Sequence, residues 1–372
     1  MASIAKTAAG TYRARWRTPD GRTTAKTFAK RGDAERHLTI IEHSKLSGSY
    51  VDPAAGRITF AEYAEQWRAM QVHRPASAVA VEVTLRRHVV PRLGHRPMAQ
   101  IRHSEVQSLI RECAETLAPG TVRNVYVRVS AIFRAAVADR VIAVDPTAGV
   151  KLPPVHQSPL DILPTATVGQ LVEDIDQRYR ALIVLGAGCG LRISEALGLT
   201  VDRVDWPRRQ VTIDRQLVGV DDGRPVFGPV KDRQNRPRTI PLPDAVLHEL
   251  SAHLRQYGPG PDGLLFTGRH GEPIRVNRFS EVWRRAATPL GIPTGRGFHL
   301  LRHYYASLLI AHGESVKVVQ DRLGDRSATI TLDTYAGLWP DSEDGTRVAV
   351  DTVLGAALGG PASILRQSGS TG

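Results

Sequence analysis

Arginine, histidine, lysine and tyrosine recur in the second half of this 372-residue chain at spacings suited to work on a phosphate ester. Gly188–Leu199 reads GCGLRISEALGL and holds Arg192 and, three residues on, Glu195. On a helix that spacing is about one turn, so the carboxylate can orient the guanidinium. Phe298–His303 (FHLLRH) holds His299 and Arg302, again three apart on one helix face, with His303 next. Leu323–Tyr335 (LGDRSATITLDTY) ends on Tyr335, and Val230–Leu242 (VKDRQNRPRTIPL) places Lys231 in a basic hairpin segment. Breaking a phosphodiester needs a nucleophile, a proton for the leaving oxygen and positive charge around the phosphate in the transition state. No acidic cluster suggests a divalent metal site, so fixed arginines are the candidate source of that charge.

Each residue taken singly also has an ordinary structural reading. An Arg–Glu pair at helical spacing is usually a surface salt bridge. Lys231 alone is a solvated hairpin lysine, and Tyr335 alone a half-buried aromatic. Gly188, Cys189 and Gly190 leave little side-chain cover beside Arg192, which favours a functional turn there. His299 and His303 are four apart, as zinc ligands can be. No Glu lies between them as in the zinc-protease motif, and Arg302 would oppose a cation. Neither a metal nor a cofactor is expected.

In this order and spacing, over about residues 160–340, the four segments together resemble the conserved boxes of the tyrosine recombinases, the family of the phage integrases. The resemblance implies that Arg192 and Arg302 clamp the scissile phosphate and that Glu195 supports the clamp. It implies that His299 lies near nucleophile and phosphate, and that Lys231 is the general acid that protonates the departing 5′ oxygen. Tyr335 would attack and hold the DNA as a 3′-phosphotyrosine, which conserves the energy of the broken bond so that ligation needs no ATP. The expected partners are double-stranded attachment sites of core and arm type, three further copies of the chain in a tetramer working through a Holliday junction, a DNA-bending host factor and an excision factor. Integration and excision of mobile DNA would take place in the cytoplasm of a bacterial host.

This sequence departs from the family pattern twice. Leu300 stands where Asp is frequent. Asp325 stands where the family usually has His or Trp donating a hydrogen bond to the phosphate. An ionised carboxylate cannot donate, and it repels a phosphate. The expectation is therefore that Asp325 turns away and pairs with Arg322, one helical step back, or with adjacent Arg326. Two other readings stay open: a DNA-binding regulator that retains the fold without activity, and a topoisomerase-like enzyme that relaxes DNA without exchanging partners. The basic amino-terminal strands argue against the second.

The elements that must position these residues follow from periodicity. Tyr12, Ala14 and Trp16 alternate with Arg13, Arg15 and Arg17, the signature of a half-buried strand with one basic face suited to a DNA groove. A turn at Pro19–Gly21, a strand from Thr23 to Phe28 and a helix from Lys30 to Ser47 complete a small unit, with Ala34, Leu38, Ile41 and Leu46 on the helix's apolar side. A Gly/Ser/Pro-containing linker, Gly48–Gly56, leads to a helical segment. Its predicted helices span Thr59–Met70, with a Thr59/Glu62 capping box, Val79–Val89, Ser104–Thr116 and Pro119–Asp139. On the last, Val122, Val125, Val129, Ile132, Phe133 and Ala136 form the apolar face, and Arg123 and Arg128 fall largely off it as candidate DNA contacts. Prolines crowd Val144–Leu163, the clearest boundary. Beyond it helices are predicted at Tyr179–Leu185, Ser194–Leu197, Pro243–Gln256, Asn277–Leu290, Phe298–Ala311 and Ser315–Leu323, with strands at Gln210–Val218 and Arg238–Leu242.

The fold class expected is therefore multidomain and α-rich. A small β-sheet-plus-helix arm-type DNA-binding domain (1–57) precedes a helical core-type DNA-binding domain (58–152), a mixed, mainly α catalytic domain (160–358) and a disordered tail (359–372). Val348, Val350, Val353, Leu354, Ala357 and Leu358 make an apolar stripe expected to dock on a neighbouring subunit. Charge agrees with a polyanionic partner: the chain carries +12 overall, of which +6 lies in residues 1–57 and +4 in 58–150. Cys113 and Cys189 are far apart, so neither a disulfide framework nor a cysteine metal site is expected. No apolar run is long enough for a membrane span.

Overall fold

In a computed structural model, residues 2–18, 21–46, 50–52, 54–155, 160–231, 236–339 and 352 are described. The predicted tail, the apolar stripe at 348–358, and parts of the 19–21 turn and the 48–56 linker lie outside the described residues. The chain divides into two compact units, Met1–Gln157 and Ser158–Gly372, the division falling inside the proline-rich stretch. The fold is multidomain and α-rich, with a small amino-terminal sheet. No helix among the described residues is long and apolar enough to cross a membrane.

The first unit opens with a three-stranded antiparallel sheet in the order β1 (Ser3–Lys6), β2 (Tyr12–Arg17), β3 (Thr23–Phe28). Strand β1 was not predicted; it pairs Ile4 with Ala14 and Lys6 with Tyr12. Along β2 the alternation holds: Ala14 and Trp16 are buried, while Arg13, Arg15 and Arg17 are exposed. Helix α1 (Arg31–Leu46) lays Ala34, Leu38 and Ile41 on that inner face, and the Trp16 indole donates to Tyr50 Oη at 3.0 Å. Leu46, expected on the apolar side, is 89% exposed in the last turn.

A second core belongs to α2 (Phe60–Met70), α3 (Pro75–Thr84), α4 (Val90–Leu93), α5 (His103–Thr116) and α6 (Pro119–Ala138). Thr59 caps α2 and Glu62 closes the reciprocal bond, as the capping box requires. On α6 the six predicted apolar side chains are all fully buried, each contributing about 1.5–3 kcal/mol by removal from water for the larger ones. The predicted Val79–Val89 helix is not one regular helix. The α geometry ends at Thr84, and Leu85–Val89 widens into a π-helical turn whose closing bond runs from Val90 N–H to Leu85 O. Pro91 explains this, because it lacks an N–H and its ring would strike a carbonyl one turn back.

The second unit is built on α8 (Gln177–Cys189), which follows α7 (Thr165–Asp174). After α9 (Ile193–Leu197) come β4 (Val204–Asp205), β5 (Gln210–Ile213), β6 (Arg215–Asp221), β7 (Arg224–Pro229) and β8 (Arg238–Pro241). Strands β4, β5 and β8 form one antiparallel sheet, and β6 and β7 a separate hairpin. The predicted strand Gln210–Val218 is thus two strands in two sheets. Helices α10 (Asp244–Tyr257), α11 (Val276–Ala287), α12 (His299–Ala311), α13 (Val316–Leu323) and α14 (Ala328–Tyr335) follow. Helix α8 packs against α10 and α12 in the main core, whereas Tyr305, Ile310, Val319, Leu323 and Tyr335 form a smaller cluster joining α12, α13 and α14.

Candidate active site

Two left-handed glycines bring the charged residues of the second unit together. Gly190 (φ +64°) ends α8, and its carbonyl accepts from Arg302 Nη1 on α12 at 2.9 Å. Gly324 (φ +65°) ends α13, and a Cβ there would stand 2.9 Å from the Arg238 side chain. Only glycine adopts this backbone at no steric cost. Past Gly190 the chain turns so that Arg192 is the N-cap of α9 and Glu195 lies in its first turn. Glu195 is 1% exposed. It accepts from the Arg192 amide and from Arg192 Nη1, both at 3.0 Å, and from Arg238 Nη2 at 2.5 Å and Nη1 at 3.2 Å. Burial alone would push its carboxyl up, but Arg238 and then Arg192 outweigh that and hold it at about 2. The spacing argument for Arg192 and Glu195 holds locally. The second guanidinium on Glu195 comes from a strand 43 residues away.

Asp325 corrects the expectation drawn from its neighbours. It pairs with neither Arg322 nor Arg326. Its Oδ1 accepts from Arg302 Nη2 at 2.7 Å and from Arg192 Nη2 at 3.4 Å, and Thr331 Oγ1 donates to its Oδ2 at 3.3 Å. Arg322 instead donates to the Thr239 carbonyl, and Arg326 to the Lys231 carbonyl. The two predicted clamp arginines therefore converge on a single anionic oxygen. Arg302 is 2% exposed; burial and then neighbouring Arg192 lower its pKa to about 10, so it stays charged at neutral pH. Arg192, Arg238 and Arg302 against Glu195 and Asp325 leave this cluster with one positive charge in excess.

Tyr335 closes α14 with its ring 3% exposed. Its hydroxyl lies 2.9 Å from His303 Nδ1, on the residue that follows Arg302. Burial pushes the phenol up to about 12. His299 stands edge to face with His303, ring centroids 4.7 Å apart, and burial, then His303, lowers its pKa to about 4. Both imidazoles are therefore neutral at physiological pH, since His303 is also shifted down, chiefly by burial. Lys231 follows β7 and is exposed; its carbonyl meets Arg326, next to Asp325. Among the described residues no group of three or more His, Cys, Asp or Glu side chains could hold a metal ion.

The chain has known relatives. The model for the phage integrase family matches residues 162–339, and that for the phage integrase central domain matches residues 60–152. The chain belongs to the phage integrase family of tyrosine recombinases. It is 32% identical over 176 residues to the tyrosine recombinase XerC of Brucella melitensis biotype 1, a match covering 46% of this chain and 50% of that one. The chain spans about half the length of the first curated relatives it matches. In fold it resembles the Tn1549 transposon integrase in complex with a circular intermediate DNA: TM-score 0.69, 22% identity, 80% of this chain and 99% of that one. A lambda integrase tetramer bound to a Holliday junction gives TM-score 0.60 at 17% identity, covering 88% and 96%.

Not every candidate of this integrase-family chain meets the cluster. Arg13, Arg15, Arg17, Arg123 and Arg128 belong to the first unit. Arg17 Nε donates to its own turn at Gly21 O, 2.9 Å away. Arg123 is exposed, but Arg128 is half-buried and donates to Thr84 on α3, so it does not stand free on the face expected of it. Three residues of the cluster were missed. Arg238 lies on the same face of β8 as buried Ile240, with exposed Thr239 between them, and period two in that strand was the signal for its inward face. Thr331, fully buried, gave no local signal. His303 was weighed only as a metal ligand, although adjacency to Arg302 already placed it beside the cluster.

Proposed function

We propose that this chain is a site-specific DNA recombinase that cleaves and rejoins double-stranded DNA through a 3′-phosphotyrosine. The observation that carries this reading is the convergence of Arg192 and Arg302 on one anionic oxygen, with the neighbour of Arg302 bonded to the Tyr335 hydroxyl. Two guanidiniums aimed at one oxygen make a phosphate clamp. Tyr335 Oη attacks phosphorus, the bond to the 5′ oxygen breaks, and Lys231 Nζ supplies that oxygen's proton. Glu195 and Arg238 hold Arg192 in place. The likeness to integrases in complex with DNA and with a Holliday junction supports a homotetramer on paired sites; we extend the proposal to integration and excision of mobile DNA with a DNA-bending host factor and an excision factor. In this reading residues 1–57 grip arm-type sites, 58–152 core-type sites and 160–358 perform the chemistry, while the stripe at 348–358 docks on a neighbouring subunit.

A second reading has one observation in its favour. Asp325 occupies the point at which a phosphate oxygen would sit, as in a DNA-binding regulator that retains the fold without activity. One assay separates the two. A duplex selected by the protein from a random-sequence pool, nicked so that the cleaved end diffuses away, should trap a covalent protein–DNA adduct. Tyr335→Phe should abolish the adduct while DNA binding stays near normal. A wild-type protein that binds the duplex without adduct would establish the regulator; adduct persisting in Tyr335→Phe would show the nucleophile wrongly assigned.

A further inference from the structure

Tyr335 must lose a proton before or as it attacks, and none of the roles given above receives it. We infer that His303, through Nδ1, accepts the Tyr335 hydroxyl proton during cleavage and returns it during ligation. The inference rests on the recombinase reading above. Its geometry is direct: Nδ1 and Oη are 2.9 Å apart, within the reach a general base needs. Backbone fixes both ends. His303 follows Arg302 on α12, and Tyr335 ends α14 inside the small cluster that ties α14 to α12 and α13. His299 backs the imidazole ring to ring.

The proton count closes. The hydroxyl proton passes to Nδ1, the phenolate oxygen bonds to phosphorus, and the 5′ oxygen leaves with a proton from Lys231. Ligation runs these transfers backwards, so His303 ends as it began. A buried phenol at about 12 is almost wholly protonated at neutral pH and needs such a partner, while burial keeps the imidazole neutral and ready to accept. The charged groups around His303 set how long it holds the proton. Arg302 beside it and Arg296 ahead of α12 oppose the imidazolium; Asp161, paired with Arg296 at 2.6 Å, and Asp325 favour it. Opposed on two sides and supported on two, it can take a proton transiently.

The test is single-turnover adduct formation on the nicked, selected duplex. His303→Gln keeps an acceptor for the hydroxyl but cannot carry a proton away at neutral pH. It should cleave about a hundredfold or more slowly with DNA binding retained, and the fall in wild-type rate on the acid side, which burial of His303 sets below the ordinary imidazole range, should disappear. Cleavage by His303→Gln within about threefold of wild type would reduce His303 to a positioning residue and overturn the inference. A duplex with sulfur in place of the bridging 5′ oxygen needs no proton on its leaving group. It should rescue Lys231→Ala and leave His303→Gln slow; equal rescue of both would also overturn the inference. Should His303→Gln fail to fold, the wild-type profile on the sulfur duplex decides, because only the nucleophile's proton is left to titrate. A rate flat from neutral pH down to the acid edge of folding counts against His303, whose burial places its titration below the ordinary imidazole range. Failure of the underlying reading looks different: wild type forms no adduct on either duplex.

Discussion

Replacing Asp325 with Asn separates two things its carboxylate does. The substitution keeps the size of the side chain and removes the charge that Arg302 Nη2 meets at 2.7 Å and Arg192 Nη2 at 3.4 Å. A phosphate drawn between the same guanidiniums meets that carboxylate at close range. Two unit charges about 4 Å apart interact by roughly 1 kcal/mol in water and roughly 4 kcal/mol at an effective dielectric of about 20. Removing a repulsion of that size lowers the barrier by at least about 1 kcal/mol, or about fivefold in rate. Asp325→Asn should therefore form the phosphotyrosine adduct at least about fivefold faster in single turnover, and Asp325→His should keep or raise the rate. Stability should move the other way. Arg302 is almost wholly buried, and removing one partner of a buried pair costs on the order of 3 kcal/mol, visible as a lower urea midpoint. Faster cleavage from a less stable protein is the signature of a counter-ion that must yield to the substrate. A tenfold loss of cleavage in Asp325→Asn, with folding and DNA binding intact, would refute the reasoning. The carboxylate would then be a required strut between the arginines.

Glu195→Gln leaves Arg238 without its counter-charge in the interior and should cost on the order of 3–5 kcal/mol, read as a shift of the denaturation midpoint without change of slope. In the wild type, the folded pKa of Glu195 is depressed from 4.5 to about 2, so its contribution is complete above about pH 4.5 and is lost as pH falls toward 2. The acid limb of the stability profile should therefore flatten in Glu195→Gln, and an unchanged limb would show the pair to be energetically silent. Deleting residues 1–57 should abolish binding to one class of site and spare the crossover site, and the log–log salt slope at the lost class should fall by about one unit for each of Arg13, Arg15 and Arg17 removed singly. Loss of both binding activities on deletion would argue against a modular arm domain.

What could be read from the sequence is what local rules encode. The apolar face of α6 and the alternation along β2 repeat at the period of their own element, so burial follows position. Arg192 with Glu195, and His299 with Arg302, lie one turn apart, and their segments come together in the candidate site. Strand β1 and the break before Pro91 were harder, since four residues carry little periodicity and a π turn keeps the composition of a helix.

Asp325 shows where local rules fail. Arg322 and Arg326 were chosen as its partners by distance along the chain, but Gly324 in the left-handed region reverses the backbone between Arg322 and Asp325. A residue just beyond such a cap no longer shares a face with the helix it leaves, so the arginine one step back turns toward Thr239 while the carboxylate turns inward. The partners it finds lie 133 and 23 residues away. The same reversal accounts for Arg238, whose guanidinium packs where a side chain on residue 324 would stand. Charge pairing in this cluster is therefore set by two glycine caps and one strand. A side chain at position 324 should disturb Arg192, Arg238 and Asp325 together, although residue 324 itself carries no charge.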